Sequence, residues 1–269
     1  MGRLDGKVAV ISGAARGQGR SHAVTLAREG ARIVAFDICD RTPTAMCRPS
    51  SVEDLAETAR LVEAQNQRCI TAKVDARDLD AMNALADQVM SDFGRIDILA
   101  VNHGIWSIAE NSWELDESVW QESIDVILTG AWKTTKAFIP KIIEGGNGGS
   151  VVLTASTNAF TPQPSAVAYC AAKAGVLNMM RVLSWELGEY NIRANAVCPG
   201  GVDTQMVTDG GLEMAQQMRP RYIDSARNLL PAELLPPQSI SDAVLYLVSD
   251  ESRHVTGSAI TVDAGWTNF

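Results

Sequence analysis

Ser156, Tyr169 and Lys173 form the stretch of this 269-residue chain best equipped for proton chemistry, with the Tyr thirteen residues after the Ser and the Lys four residues after the Tyr. The run Tyr169-Cys170-Ala171-Ala172-Lys173 reads as helical, which sets phenol and ammonium on one face a single turn apart. A nearby ammonium stabilises a phenolate and lowers a pKa that is ordinarily about 10, moving the tyrosine towards acid/base use near neutral pH. Ser156 could then hold the substrate oxygen that Tyr169 protonates or deprotonates. A Tyr and a Lys at this spacing also decorate ordinary amphipathic helices, so the surrounding elements decide between the two readings.

Those elements alternate along the chain. Nearly continuous apolar runs at 7–12, 32–37, 68–75, 96–102, 150–156, 192–198 and 258–263 read as strands covered on both faces. Amphipathic stretches at 17–29, 52–65, 79–93, 117–144, 167–188 and 239–249 read as the helices between them. Right-handed crossovers wind such a chain into one α/β domain over residues 1–269: a doubly wound, seven-stranded parallel sheet flanked by helices. An insertion at 38–51 and a small helical substrate lid at about 205–238 stand outside the alternation.

Bulk properties narrow the class. Hydrophobic content of 46% suffices for one large core, and a net charge of −9 spread along the chain speaks against a nucleic-acid surface. Cys39, Cys47, Cys69, Cys170 and Cys198 are odd in number and include no C-x-x-C pair, so neither a disulfide framework nor a metal site is expected, and a reducing cytoplasm is the natural setting. No signal-type apolar stretch precedes the first strand and no run of eighteen apolar residues occurs, so neither export nor a membrane span is expected.

The first strand ends in Ser12-Gly13-Ala14-Ala15-Arg16-Gly17-Gln18-Gly19, a G-x-x-x-G-x-G turn that opens a helix. Glycines let the backbone turn tightly and approach a pyrophosphate, whose charge the helix N-terminus stabilises. Asp37 closes the second strand, where it would accept hydrogen bonds from ribose hydroxyls and repel a 2′-phosphate, favouring NAD; a helix cap or solvated loop residue is the alternative. Arg16 pulls the other way, since a guanidinium there could pair with a 2′-phosphate. The insertion at 38–51 exceeds the usual connection of about 2–6 residues and leaves the sheet beside the expected adenosine site, as either a flap over the cofactor or a surface insertion. Asp75 could bond the adenine amino group or cap the following helix. In Asn102-His103-Gly104, the glycine lets a loop pass close to a ligand, Asn102 could tie neighbouring strands, and His103 reads as a packing residue over the ribose rather than a base.

Taken in order and spacing, Gly13-x-x-x-Gly17-x-Gly19, Asp75, Asn102-His103-Gly104, Ser156, Tyr169-x-x-x-Lys173, Pro199-Gly200 and Val262-Asp263-Ala264-Gly265 resemble the classical short-chain dehydrogenase/reductase family, with its Rossmann fold, over essentially the whole chain. The turn Gly13 to Arg20, the insertion after Asp37 and Asp203-Thr204-Gln205-Met206 look like its carveol-dehydrogenase-like, mycofactocin-coupled branch. The resemblance implies Tyr169 as acid/base, Lys173 as the group that lowers its pKa and holds the nicotinamide ribose, and Ser156 as the residue orienting the carbonyl or hydroxyl. It implies Pro199 to Thr204 along the nicotinamide, with Val202 and Thr204 on the carboxamide. It further implies tightly held NAD regenerated by a mycofactocin-type redox partner, and a homotetramer joined through 117–144 and 167–188, where Met179, Met180 and Trp185 could equally be core.

One position departs from the family. An Asn usual before Leu128-Thr129-Gly130 is replaced by Ile127. In the family that Asn widens the helix so that its main-chain carbonyl holds a water linking Lys to solvent. Ile has no amide to support the bulge, which puts the relay in question and leaves a weakened, nucleotide-binding regulator or scaffold as the rival to an enzyme. The substrate pocket is expected from 105–112, 157–165 and 208–237, with Trp106, Trp113, Phe160, Met206 and Leu212 nearby, so a hydrophobic secondary alcohol or ketone, such as a terpenoid, fits. Arg219, Arg221 and Arg227 keep an acidic substrate open. Gly210-Gly211 and Pro220, Pro231, Pro236 and Pro237 suggest hinged closure.

Overall fold

Seven strands lie side by side, the inner five buried on both faces by helical layers above and below and the two edge strands partly exposed. The computed structural model describes residues 2–225 and 227–268, apart from the side chains of residues 223–225. Its strands are β1 (Val8–Ser12), β2 (Arg32–Asp37), β3 (Cys69–Lys73), β4 (Ile98–Val101), β5 (Gly149–Thr154), β6 (Ile192–Pro199) and β7 (Ala259–Val262). They form one sheet in the order β3-β2-β1-β4-β5-β6-β7, every pair parallel. The order reverses between β1 and β4, which opens a crevice at the strands' carboxyl ends.

Alternation within each strand divides the core. Val8 and Val10 of β1 point into one layer and Ala9 and Ile11 into the other; Val34 and Phe36 of β2 likewise oppose Ile33 and Ala35. The first layer is covered by α3 (Leu79–Phe93), α5 (Gly130–Gly145) and α6 (Val167–Glu186), the second by α1 (Gly17–Arg28), α2 (Val52–Glu63) and α10 (Pro237–Val248). Buried Asp97 accepts from the Val8 amide at 3.0 Å and from Arg95, tying the chain before β4 to β1.

The helix expected at 117–144 is not uniform. It comprises α4 (Glu117–Ser123), a π-helical segment Ile124–Thr129 and α5, and the Gly130 amide donates to the Asp125 carbonyl five residues back. The widening thus exists with Ile at 127, whose side chain is fully buried. A missing amide does not abolish the bulge, because the bulge is defined by main-chain bonds.

The stretch expected to be a lid carries α7 (Gln205–Thr208), α8 (Gly211–Met218) and α9 (Pro220–Ser225). Gly210, at φ +93°, makes the break between α7 and α8. Among the described residues no helix is long and apolar enough to cross a membrane.

Candidate active site

Tyr169 lies in the first turn of α6, and Lys173 follows one turn later on the same face, as the spacing requires. The preceding loop is fixed by the Ala109 amide on the Ser165 carbonyl at 2.9 Å and the Ser165 hydroxyl on the Glu110 carbonyl at 3.2 Å. Ser156, just beyond β5, is buried and accepts from the Asn158 amide at 3.1 Å. The Lys173 ammonium donates to the Thr154 carbonyl at 2.6 Å and sits 5.9 Å from the centre of the Tyr169 ring.

Burial dominates the electrostatics of this group. The phenol is pushed up to about 12 by desolvation, with the facing Ser156 hydroxyl pulling it partly back, and Lys173 is pushed down to about 8 by desolvation. The expected lowering of the phenol by its neighbour is therefore not realised in this arrangement. The ammonium is turned onto the Thr154 carbonyl, and the loss of water around the phenol is the largest influence on it. At neutral pH the site holds a neutral phenol and a cationic amine that gives up its proton unusually readily.

Two cavities adjoin here, and the larger holds these side chains. One, of about 410 Å³, is lined by Gly13, Arg16, Gly17, Gln18, Asp37, Asp75, Asn102, Gly104 and Thr204 together with much of the 38–51 insertion. The other, of about 740 Å³, is lined by Ser156, Tyr169, Lys173, Pro199, Val202 and Thr204, and by lid residues. Gln18, Asn102, Gly104, Thr204 and Met206 border both. Of the catalytic and cofactor-binding residues expected from the sequence, Gly19 alone lines neither; it is buried in the first turn of α1.

The glycine turn delivers α1 with its first turn exposed to the smaller cavity. Gly17 takes φ +54°, a conformation other residues rarely adopt. Arg16 at the cap position makes no side-chain capping bond and the first turn has no acidic residue, so its amides and positive dipole end stay available to an anion. Asp37 is buried and accepts from the Ala15 amide at 3.0 Å, the Cys39 amide at 3.1 Å and the Ser50 hydroxyl at 2.6 Å.

The insertion forms a wall of the cavity, so it is not a mere surface excursion. Arg16 donates to the Arg48 carbonyl and, at 3.5 Å, to the Pro49 carbonyl and Cys47 Sγ. The guanidinium that could have met a 2′-phosphate is thus committed to the strap. Further ties run from the Met46 amide to the Trp106 carbonyl at 3.3 Å, from the Thr44 amide to Glu122 at 2.7 Å, and from the Arg48 amide to Asp209 of the lid at 3.0 Å.

Asp75 is held by Arg77, which donates to both its oxygens, and the cap of α3 is Asp78 instead. Asn102 ties the strands as expected: its amide nitrogen donates to the Gly13 carbonyl at 3.4 Å and its oxygen accepts from Thr154 at 3.3 Å. His103 borders the smaller cavity, and burial followed by the Lys173 charge pushes its pKa down to about 4, which removes it as a base.

The substrate-side expectations divide. Trp106, Met206 and Leu212 line the larger cavity, whereas Trp113 and Phe160 do not and are 82% and 47% exposed. Arg227 lines it; Arg219 is spent on the Glu110 carbonyl and Asn111, and Arg221 is exposed. Trp266 completes the wall from beyond the last strand, and Asn158, Gln163, Gln216 and Asn228 add polar groups. Nothing in periodicity or motif marks Trp266. At the possible subunit contact, Met180 is core and Trp185 is 88% exposed.

A doubly wound parallel sheet, a glycine turn at its switch point and a Ser, Tyr and Lys in the larger of two adjoining cavities define an oxidoreductase of the dinucleotide-sheet class. The family model described as enoyl-(acyl carrier protein) reductase matches residues 13–267. A (−)-trans-carveol dehydrogenase of Rhodococcus erythropolis is 38% identical, covering 99% of both chains. The crystal structure of carveol dehydrogenase from Mycobacterium avium in complex with NAD is 44% identical with a TM-score of 0.94, and that of a short-chain dehydrogenase from Mycobacterium paratuberculosis bound to NAD is 40% identical with a TM-score of 0.95, each covering 100% of both chains. The chain belongs to the short-chain dehydrogenase/reductase family.

Proposed function

We propose that this enzyme interconverts a hydrophobic secondary alcohol and its ketone with NAD, using Tyr169 as acid/base. The observation that carries this reading is the junction of the two cavities, where Tyr169 and Lys173 stand beside Asn102, Gly104 and Thr204. The smaller cavity suits the nucleotide: the uncapped end of α1 meets the pyrophosphate charge, buried Asp37 favours ribose hydroxyls over a 2′-phosphate, and Gln18 Oε1, buried without a partner, offers an acceptor at the boundary. Gly13, Gly17, Asp75, Asn102, Pro199, Val202 and Thr204 complete that cradle, with Lys173 on the nicotinamide ribose. Bound NAD supplies the hydride acceptor for alcohol oxidation.

In that direction Tyr169 first gives up its phenol proton through Lys173, which burial has made ready to pass its own to solvent, and the resulting phenolate takes the hydroxyl proton while Ser156 holds the same oxygen; in reduction the neutral phenol donates. A water on the Ile127 carbonyl links Lys173 to solvent. Trp106, Met206, Leu212, Leu230 and Trp266 favour a cyclic, apolar substrate such as a terpenoid, and the named carveol dehydrogenases among the relatives support that class. The decisive test is Tyr169→Phe, expected to lower turnover by roughly 10²–10⁴-fold while NAD binding persists. Turnover close to that of the unaltered enzyme would remove Tyr169 from the mechanism.

The ties of the strap support a retained NAD reoxidised by a mycofactocin-type redox partner in the cytoplasm. Denaturing the purified protein should release NAD, and release of NADP instead would refute the Asp37 assignment. Trp120, Trp132 and Trp185, all exposed on α4, α5 and α6, support a homotetramer, which a light-scattering mass of four chains would bear out and a monomer mass would refute.

A further inference from the structure

His103 stands between the carboxyl edge of the sheet and the π-helical segment Ile124–Thr129. On the sheet side, Ser12 Oγ accepts from the Asn102 amide at 2.9 Å and the His103 amide at 3.3 Å, and His103 Nδ1 lies 2.7 Å from the same oxygen. With two donors already on that hydroxyl, its own proton goes to Nδ1, which leaves the imidazole hydrogen on Nε2. Nε2 is buried without a bonded partner in this arrangement and faces the widened turn at Gly130, and the main-chain carbonyl of Val126 in that turn is the backbone acceptor that bears on the ring. The ring also fills the space beside Gly130, where a Cβ would lie 3.0 Å from Nε2. Lys173 and Asp75 are the charges acting on the ring; burial and Lys173 keep it neutral, so the Nε2–H tautomer persists at working pH.

We propose that His103 is a positioning residue that holds the helix open at Ile124–Thr129 by donating from Nε2 to the Val126 carbonyl, supplying the support that Ile127 has no amide to give. A carbonyl displaced by widening loses its helical donor, and a buried one needs another. His103 provides that donor from a fixed platform, because Ser12 orients the ring and Gly130 leaves room for it. The Ile127 carbonyl, one residue further on, is then left free of this bond. The functional consequence rests on the reading of Tyr169 and Lys173 as the proton-transfer pair; the structural claim does not.

The test is amide hydrogen exchange on the intact protein and on His103→Phe, His103→Gln and His103→Ala. Loss of one supporting hydrogen bond should speed exchange within residues 124–131 by about tenfold in H103F and H103A, with β5 and β6 peptides unchanged. H103Q, whose amide can reach the same carbonyl, should stay near the unaltered protein. H103F retains ring bulk and decides the matter where H103A does not fold. Unchanged exchange at 124–131 in H103F, or equal acceleration in H103Q and H103F, would overturn the proposal. A second readout follows turnover: H103F should move the alkaline limb of the pH profile and lower kcat with KM held. Failure of all variants and the parent to oxidise alcohols would count against the proposed reaction while leaving the exchange result to judge His103.

Discussion

The two halves of the crevice are built on different principles. The nucleotide half is a lattice of buried polar bonds: Asp37 takes three donors, Thr58 bonds the Ala14 carbonyl at 2.9 Å, and Arg16 and Arg48 fasten the strap. The substrate half sets large apolar side chains from distant parts of the chain, Trp106, Met206, Leu212, Leu230 and Trp266, beside polar groups such as Gln216 and Arg227 that are unlinked among the described residues, with main-chain ties such as Leu230 to Ala264 at 3.0 Å and Leu235 to Gly201 at 2.9 Å. A polar lattice fixes one ligand geometry and fails sharply when a member is lost. An apolar wall loses area in proportion to what is removed, so substrate preference can drift while the nucleotide site stays fixed.

Asp37→Ala gives the largest expected break in that contrast. It leaves the Ala15 and Cys39 amides without their acceptor in a buried setting, at about 1–3 kcal/mol for each orphaned donor. Thermal unfolding should shift down by several degrees and the purified protein should carry much less NAD. Ser50→Ala, which removes one donor and leaves the carboxylate paired with two amides, should show a smaller fall in both. Equal stability of D37A and the parent would mean that the lattice carries no weight.

The same division explains what could be read from the sequence. The strands, the glycine turn and the Ser156, Tyr169, Lys173 group were legible because local patterns write them: apolar runs for buried strands, glycine where the backbone must turn, and one helical turn between Tyr and Lys. The insertion was visible by its length, but its attachments were not, since Arg48 finds Asp209 and Met46 finds Trp106 only in the folded chain. Trp113 and Phe160 looked like pocket residues by nearness in sequence and point elsewhere, whereas Trp266 lies past every periodic element. The phenol's pKa went against the simple expectation because spacing reports the neighbouring charge and not the water excluded with it. Ile127 looked like a loss because the missing amide is visible in sequence, whereas the main-chain bond from Gly130 to Asp125 that closes the widened turn is not.

Trp266→Ala should produce the smallest effect and the most selective one. The tail that carries Trp266 is held by Asp263, whose carboxylate accepts from the Gly265 amide at 2.9 Å, the Thr267 amide at 2.9 Å and the Thr267 hydroxyl at 2.7 Å. None of those bonds uses the indole, so the backbone should keep its place when the ring is removed. What is lost is apolar area on the wall of the larger cavity. KM for a bulky cyclic alcohol should rise by about tenfold, with little change for a small one, because apolar pocket contacts discriminate by amounts of that order. Retained NAD and unfolding temperature should stay near the parent values. A fall in NAD content comparable to that of D37A would show that the two halves are coupled through the lid, by the route Arg48 to Asp209, and an unchanged KM across the series would place the substrate away from this wall.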